Sequence, residues 1–120
     1  MKTHKDLEVW RASIDLARSV YEFTRQYPKE ELFGLVSQMR RASVSIASNI
    51  AEGAARNGNK EFMQFLYIAL GSASELDTHI EISRVVKICE TDHLHELQEA
   101  ITRVKMLILG LIRSLKAIVI

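Results

Sequence analysis

The chain of 120 residues has one cysteine, one proline, five glycines and few aromatic residues. A single cysteine excludes an intramolecular disulfide, and no Cys or His pair has the spacing of a structural zinc site. Because proline, glycine and alternating β-branched residues are scarce, little of the sequence matches a β-strand. The sequence therefore favours an all-α fold, and the free thiol of Cys89 favours a reducing compartment.

Long apolar runs and an excess charge of one sign are also missing. The longest stretch without a polar residue, Met106 to Ile112, is seven residues long, whereas a membrane-spanning helix needs about 20. The first residues lack the apolar centre of a secretory signal, so we expect a cytoplasmic protein with no membrane partner. The net charge of +1 by itself predicts no strong attraction to nucleic acid.

Apolar residues recur three and four positions apart along nearly the whole chain, which is typical of amphipathic helices. Breaks at Tyr27-Pro28 and Gly58 divide the pattern. It predicts four helices, at about 6–26, 29–56, 60–87 and 92–117. Short connections between long helices favour antiparallel neighbours, so we predict one domain, an antiparallel up-down-up-down four-helix bundle.

The first and fourth helices carry more apolar residues than one face needs. In the first helix the main predicted face consists of Leu7, Trp10, Ile14, Ala17, Tyr21 and Thr24, and a second set consists of Val9, Leu16, Val20, Phe23 and Tyr27. The predicted seam of the fourth helix consists of Leu94, Leu97, Ile101, Val104, Ile108, Leu111, Leu115 and Ile118, beside a second set that includes Met106 and Ile112. Surplus apolar surface predicts self-association, and the alternative is deep burial between two neighbouring helices.

The near-zero net charge conceals an uneven distribution. Residues 36–60 carry four basic side chains and one acidic side chain, whereas residues 61–83 carry four acidic side chains and no Lys or Arg. The four basic residues, here called the basic strip, are Arg40, Arg41, Arg56 and Lys60. One hypothesis is that the strip binds phosphate groups. The alternative is that it pairs with the carboxylates of the third helix, and no aromatic residue interleaves with it in sequence.

Two sequence blocks are highly specific. Residues 34–53 read GLVSQMRRASVSIASNIAEG, and residues 60–76 read KEFMQFLYIALGSASEL. Together with Trp10 and the Tyr27-Pro28 turn, these blocks resemble the four-helix bundle proteins encoded within intervening sequences of 23S ribosomal RNA genes. The similarity extends over most of the chain, although the fourth helix resembles the family only in its heptads.

This resemblance implies an antiparallel bundle that assembles into a homopentamer and has no established enzymatic activity or cofactor. It also implies a relationship to accessory proteins of diversity-generating retroelements, which contact nucleic acid and a reverse transcriptase. Arg40, Arg41 and Arg56 match family positions, so they are the first candidates for nucleic-acid contacts. The resemblance thus suggests a bacterial RNA- or DNA-binding accessory protein, and the alternative is a self-assembling scaffold with no nucleic-acid role.

Asn49, Glu52 and Gly53 within the first block have a physical interpretation of their own. On a helix made narrow by Ala and Ser, Asn49 and Glu52 can hydrogen-bond to a close neighbour or to the arginines, and Gly53 permits the closest approach. We therefore predict a structural role for these three residues. The alternative is that Asn49 and Glu52 line a binding groove.

The sequence contains few residue patterns that are typical of catalytic or metal-binding sites. A di-metal bundle site needs a Glu from each of two helices and Glu-x-x-His from each of the other two. Glu90-x-x-His93 occurs once, and Glu75 and His79 share one helical face without further inward carboxylates. No nucleophile elbow or phosphate-binding glycine loop is present. We therefore predict neither an enzyme nor a metal site.

Overall fold

The computed structural model describes residues 3–89 and 91–118. Over those residues the chain forms four long helices and no strand: α1 (Glu8–Thr24), α2 (Ser37–Ala54), α3 (Asn59–Val85) and α4 (Thr91–Ile118). Principal extents of 48 × 20 × 19 Å describe a rod about as long as its longest helices. The predicted all-α four-helix bundle is confirmed.

Each helix packs against two others. α1 contacts α2 and α4, and α3 contacts the same two helices. Ser45 of α2 lies beside Ser72 of α3, while Gly53, further along α2, lies against Phe65, earlier in α3. The order of these contacts shows that α2 and α3 run in opposite directions. The α2–α3 and α3–α4 connections are short, as the sequence predicts.

The connection between α1 and α2 is longer and less regular than predicted. After Pro28, a 3₁₀ turn (Lys29–Glu31) leads into a wide, π-type turn (Leu32–Val36), in which Gly34 has non-helical angles of φ −110° and ψ −107°. Glycine adopts such angles at little cost because it has no side chain. The helix predicted over 29–56 therefore takes regular α-helical form only from Ser37. Val36 turns into the core, whereas Phe33 is 92% exposed.

α1 buries mainly the second set of apolar residues rather than the predicted face, of which only Thr24 is buried. Ile14 and Tyr21 of the predicted face are 43% and 41% exposed, whereas Leu16 and Val20 of the second set are buried. Both sets recur at helical spacing, so periodicity alone does not say which one faces inward. Small buried residues such as Ala12 accompany the second set, which lets the neighbouring helices approach closely. The second apolar set of α1 is therefore explained by burial between the neighbouring helices.

The apolar seam of α4 follows the prediction over its first half. Leu94, Ile101 and Ile108 are fully buried, but the seam then shifts from Leu111 to Ile112, and Ile118 is 71% exposed. A straight α-helix drifts by roughly 20° per heptad from a repeat of exactly seven residues. After two heptads this drift brings Ile112 inward in place of Leu111, while Leu115 of the predicted seam is still buried.

Candidate nucleic-acid interface

Arg40 is held against α1. Its Nε donates to Oγ1 of Thr24 at 3.1 Å, Nη2 lies 3.5 Å from the carbonyl oxygen of Tyr21, and the guanidinium carbon lies 4.7 Å from the centre of the Tyr21 ring. Thr24 is buried, and its hydroxyl donates to the carbonyl of Val20 at 2.7 Å. These contacts fix the orientation of the guanidinium, while Nη1 has no hydrogen-bond partner in the described chain.

The other three members of the basic strip differ in their contacts with the rest of the protein. Arg41 and Lys60 are exposed, and no hydrogen bond or ion pair joins either of them to another described residue. Arg56 forms a 2.7 Å ion pair with Glu52 and lies 4.9 Å from the centre of the Phe65 ring. Arg40 and Arg41 lie near the start of α2, whereas Arg56 and Lys60 lie beyond its end, roughly 20 Å away along the helix. The strip is therefore two separate pairs.

Three of the four carboxylates of α3, those of Glu75, Asp77 and Glu81, do not pair with the basic strip. Within the described residues, they contact α3 itself and α4: Asp77 contacts Lys105 and Gln98, Glu81 contacts Arg84 and Gln98, and Glu75 contacts His79. Asp77 and Glu81 are four residues apart and share the helical face that meets α4. The alternative of charge pairing between α2 and α3 is therefore wrong for these residues.

A groove of about 670 Å³ lies beside the arginine pair. We call it the Phe33 groove; its walls include Tyr21 of α1, Leu32, Phe33 and Val36 of the wide turn, and Arg40 and Arg41 of α2. None of the described residues that line it is Asp or Glu. The basic strip has no aromatic neighbours in sequence, but the fold places two aromatic rings beside its first pair. Two features of the sequence mark this groove: the Arg40-Arg41 pair and the apolar Leu32-Phe33 pair before Gly34.

The motif residues of α2 lie on the side that meets α3. Asn49 Nδ2 donates to the carbonyl and hydroxyl oxygens of Ser45 at 2.8 and 3.0 Å, and the Ser45 hydroxyl lies 2.9 Å from that of Ser72 on α3. Asn49 therefore reaches α3 only through Ser45. Glu52 turns instead to Arg56, and Gly53 occupies the closest approach of the two helices.

Comparison with known proteins agrees with this architecture and motif. The model of the 23S rRNA-intervening sequence protein family matches residues 5–110. The chain belongs to this family. It is also similar to a crystal structure of a protein with unknown function from the S23 ribosomal protein family of Bacteroides thetaiotaomicron, with a TM-score of 0.80 and 21% identity over 87% of this chain and 97% of that one. At that identity the similarity shows the fold alone, and no curated protein matches the chain.

In this member of the 23S rRNA-intervening sequence protein family, a buried polar cluster lies at the end of the bundle where α1 and α3 terminate. The Tyr27 hydroxyl donates to Ser83 Oγ at 2.7 Å, and Ser83 donates to the carbonyl of His79 at 2.9 Å. Burial raises the pKa of Tyr27 and that of the Cys89 thiol, so both stay protonated at neutral pH. The apolar spacing of α3 does not predict that His79 and Ser83, two polar residues of this helix, are buried.

His79 belongs to the same cluster and is only 4% exposed. Its Nδ1 has no hydrogen-bond partner, and its Nε2 lies 3.7 Å from Glu75. Burial lowers the pKa of His79, and the nearby Glu75 carboxylate partly opposes this effect. The imidazole is therefore neutral at pH 7.

Neither a metal centre nor a membrane span is found in the part of the chain that the structure describes. Over residues 3–89 and 91–118, no three His, Cys, Asp or Glu side chains come together as metal ligands require. Glu90 of the Glu-x-x-His pattern lies outside the described residues, and His93 is exposed. No helix in the same ranges is long and apolar enough to cross a membrane.

Proposed function

We propose that this family member is a non-enzymatic protein that binds RNA or DNA through the basic side of α2. The observation that supports this function is that basic side chains are exposed and have no partner within the described protein, so a phosphate can reach them. Arg41 on α2 is exposed without a partner in the described chain, and Arg40 beside it is oriented by α1. Lys60, in the first turn of α3, is exposed in the same way. Arginine suits phosphate recognition because its planar group can form two parallel hydrogen bonds to phosphate oxygens.

The small net charge is compatible with this function because electrostatic attraction is local. Salt screens exposed charges beyond about 8 Å at physiological ionic strength. Asp77 and Glu81 of α3 face α4, and they are partly neutralised by Lys105 of α4 and by Arg84 of α3 itself. A phosphate at Arg40 and Arg41 therefore meets two adjacent positive charges, although the whole chain carries only +1.

Binding of a fluorescently labelled RNA hairpin, measured by anisotropy at several salt concentrations, tests this proposal. Arg41→Ala should weaken binding and reduce the slope of log K against log salt by about 1, since one phosphate contact is lost. Arg113→Ala is the matched control, because Arg113 is an exposed arginine on α4, which does not adjoin α2. Absence of wild-type binding at low salt, or equal effects of the two substitutions, would contradict the proposal.

Self-association is a second candidate function, and exposed apolar side chains favour it. Tyr67 and Ile68 are adjacent on α3 and are 47% and 52% exposed, and Met106 on α4 is 59% exposed. A second copy that covered either group of side chains would remove apolar surface from water. The resemblance implies a homopentamer, and it implies a reverse transcriptase as a further protein partner.

Light scattering after size exclusion tests self-association directly. We expect a mass above that of one chain at micromolar concentration. Ile68→Lys should lower that mass, because it would place a charge in an apolar contact. Ser74→Lys, at an exposed position of α3 rotated by roughly 120° from Ile68, is the control and should leave the mass unchanged. A wild-type monomer would exclude the scaffold function under these conditions.

A further inference from the structure

The Phe33 groove combines an exposed aromatic ring with a pair of arginines. We propose, building on the nucleic-acid function proposed above, that this groove holds a single-stranded segment of RNA or DNA, with a base stacked on Phe33 and phosphate oxygens on Arg40 and Arg41. The juxtaposition is a product of the fold, because Tyr21, Phe33 and the arginines come from α1, the connecting turn and α2.

Phe33 is the first element of the proposed site. At 92% exposure it is the most exposed large apolar side chain of the described residues, and Tyr21, on another wall of the same groove, is 41% exposed. The wide turn buries Val36 and leaves Phe33 outside the core. An exposed ring offers a flat face on which any nucleobase can stack.

Charge is the second element. The groove contains two guanidinium groups and, among the described residues that line it, no carboxylate. Arg40 is already oriented by Thr24 and Tyr21, so little side-chain entropy is lost when it binds a phosphate. Arg41 has no partner in the described chain and adds a second phosphate contact. The groove is therefore complementary to an anion that carries flat apolar rings.

Single strands fit this arrangement better than a duplex. The bases of a duplex are stacked on one another, so an exposed phenyl ring cannot stack on them without unpairing. Single-stranded segments present free base faces together with phosphates, and proteins bind them by combining aromatic rings with basic grooves. The volume of about 670 Å³ lies within the range of small-ligand sites.

Anisotropy with three probes tests the proposal: a labelled short oligouridine, a labelled RNA duplex of the same length, and polyphosphate as an unlabelled, base-free competitor. Phe33→Ala and Phe33→Leu should each weaken oligouridine binding by about fivefold or more, because stacking is lost. Both should leave duplex binding and polyphosphate competition unchanged. Phe33→Trp should retain oligouridine binding, and Arg41→Ala should weaken binding to all three probes.

Each other outcome overturns the proposal in a distinguishable way. Unchanged oligouridine binding by Phe33→Ala, with a loss in Arg41→Ala, overturns base stacking and leaves the proposed function intact. If Phe33→Leu keeps its oligouridine binding while Phe33→Ala loses it, the side chain contributes apolar packing rather than stacking. A lower mass of Phe33→Ala by light scattering would assign the groove to a second copy of the chain. Failure of the wild type to bind any probe would overturn the proposed function as well.

Discussion

Gly53 of α2 lies so close to Phe65 of α3 that a β-carbon added to the glycine would be 2.7 Å from the β-carbon of Phe65. The same atom would be 2.9 Å from Cδ1 of Phe62 and 3.2 Å from the Phe62 carbonyl oxygen. A β-carbon and a backbone oxygen cannot rotate away as the end of a flexible side chain can. The observed distance between α2 and α3 therefore requires glycine at this position.

Gly53→Ala should destabilise the bundle by about 1–3 kcal/mol, because α2 and α3 must move apart to admit the methyl group. Urea unfolding measures the change. Gly71→Ala is the control, because Gly71 lies within α3 with nothing within 4 Å of its added β-carbon. That substitution should stabilise the protein by about 0.5–1 kcal/mol. Equal effects at the two positions would disprove the close contact.

Tyr27→Phe should lower the free energy of unfolding by about 1 kcal/mol, because it removes the buried hydrogen bond from the Tyr27 hydroxyl to Ser83. A double-mutant cycle with Ser83→Ala isolates this interaction. The coupling energy should account for most of the Tyr27→Phe effect. Purely additive losses would show that the two hydroxyl groups do not interact in solution.

Stability should fall as the pH is lowered through the ordinary histidine range, near 6.5, because of His79. Burial lowers its pKa in the folded protein, so the unfolded chain takes up the proton first and protonation favours unfolding. His79→Leu should make the urea midpoint less dependent on pH between 7.5 and 5.5. Ile80→Val, at the neighbouring buried position of α3, is the control: it should lower the urea midpoint but leave the pH dependence as it is in the wild type.

Thr24→Val tests whether Arg40 is oriented before it binds. Valine matches the shape of threonine but can neither donate to Val20 nor accept from Arg40. We expect a loss of about 1 kcal/mol in stability. Affinity for the labelled oligouridine should fall between that of the wild type and that of Arg40→Ala.

Thr78→Val is the control for this experiment, because Thr78 is exposed on α3 and its hydroxyl bonds only to its own helix. It should leave oligouridine affinity unchanged. If Thr24→Val also leaves the affinity unchanged, Arg40 does not depend on α1 for its orientation.

The local pattern of the chain determined its helices and much of its core. Phe62, Leu66 and Ile80 recur at helical spacing in α3, and Met39 and Ile46 do so in α2. All five are buried. Spacing and burial agree because the period of an α-helix relates neighbours three and four residues apart directly to one face. The motif containing Gly53 was likewise visible in the sequence, and so was the resemblance to the family.

Only the tertiary structure decided how each helix is rotated about its axis. α1 carries two apolar sets at helical spacing, and packing against α2 and α4 together selects Leu16 and Val20 over Ile14 and Tyr21. That choice leaves Tyr21 beside Arg40 and Phe33, and the rotation of α3 directs Asp77 towards α4. Such relationships join residues far apart in sequence, so they depend on packing all four helices at once rather than on the periodicity of any one.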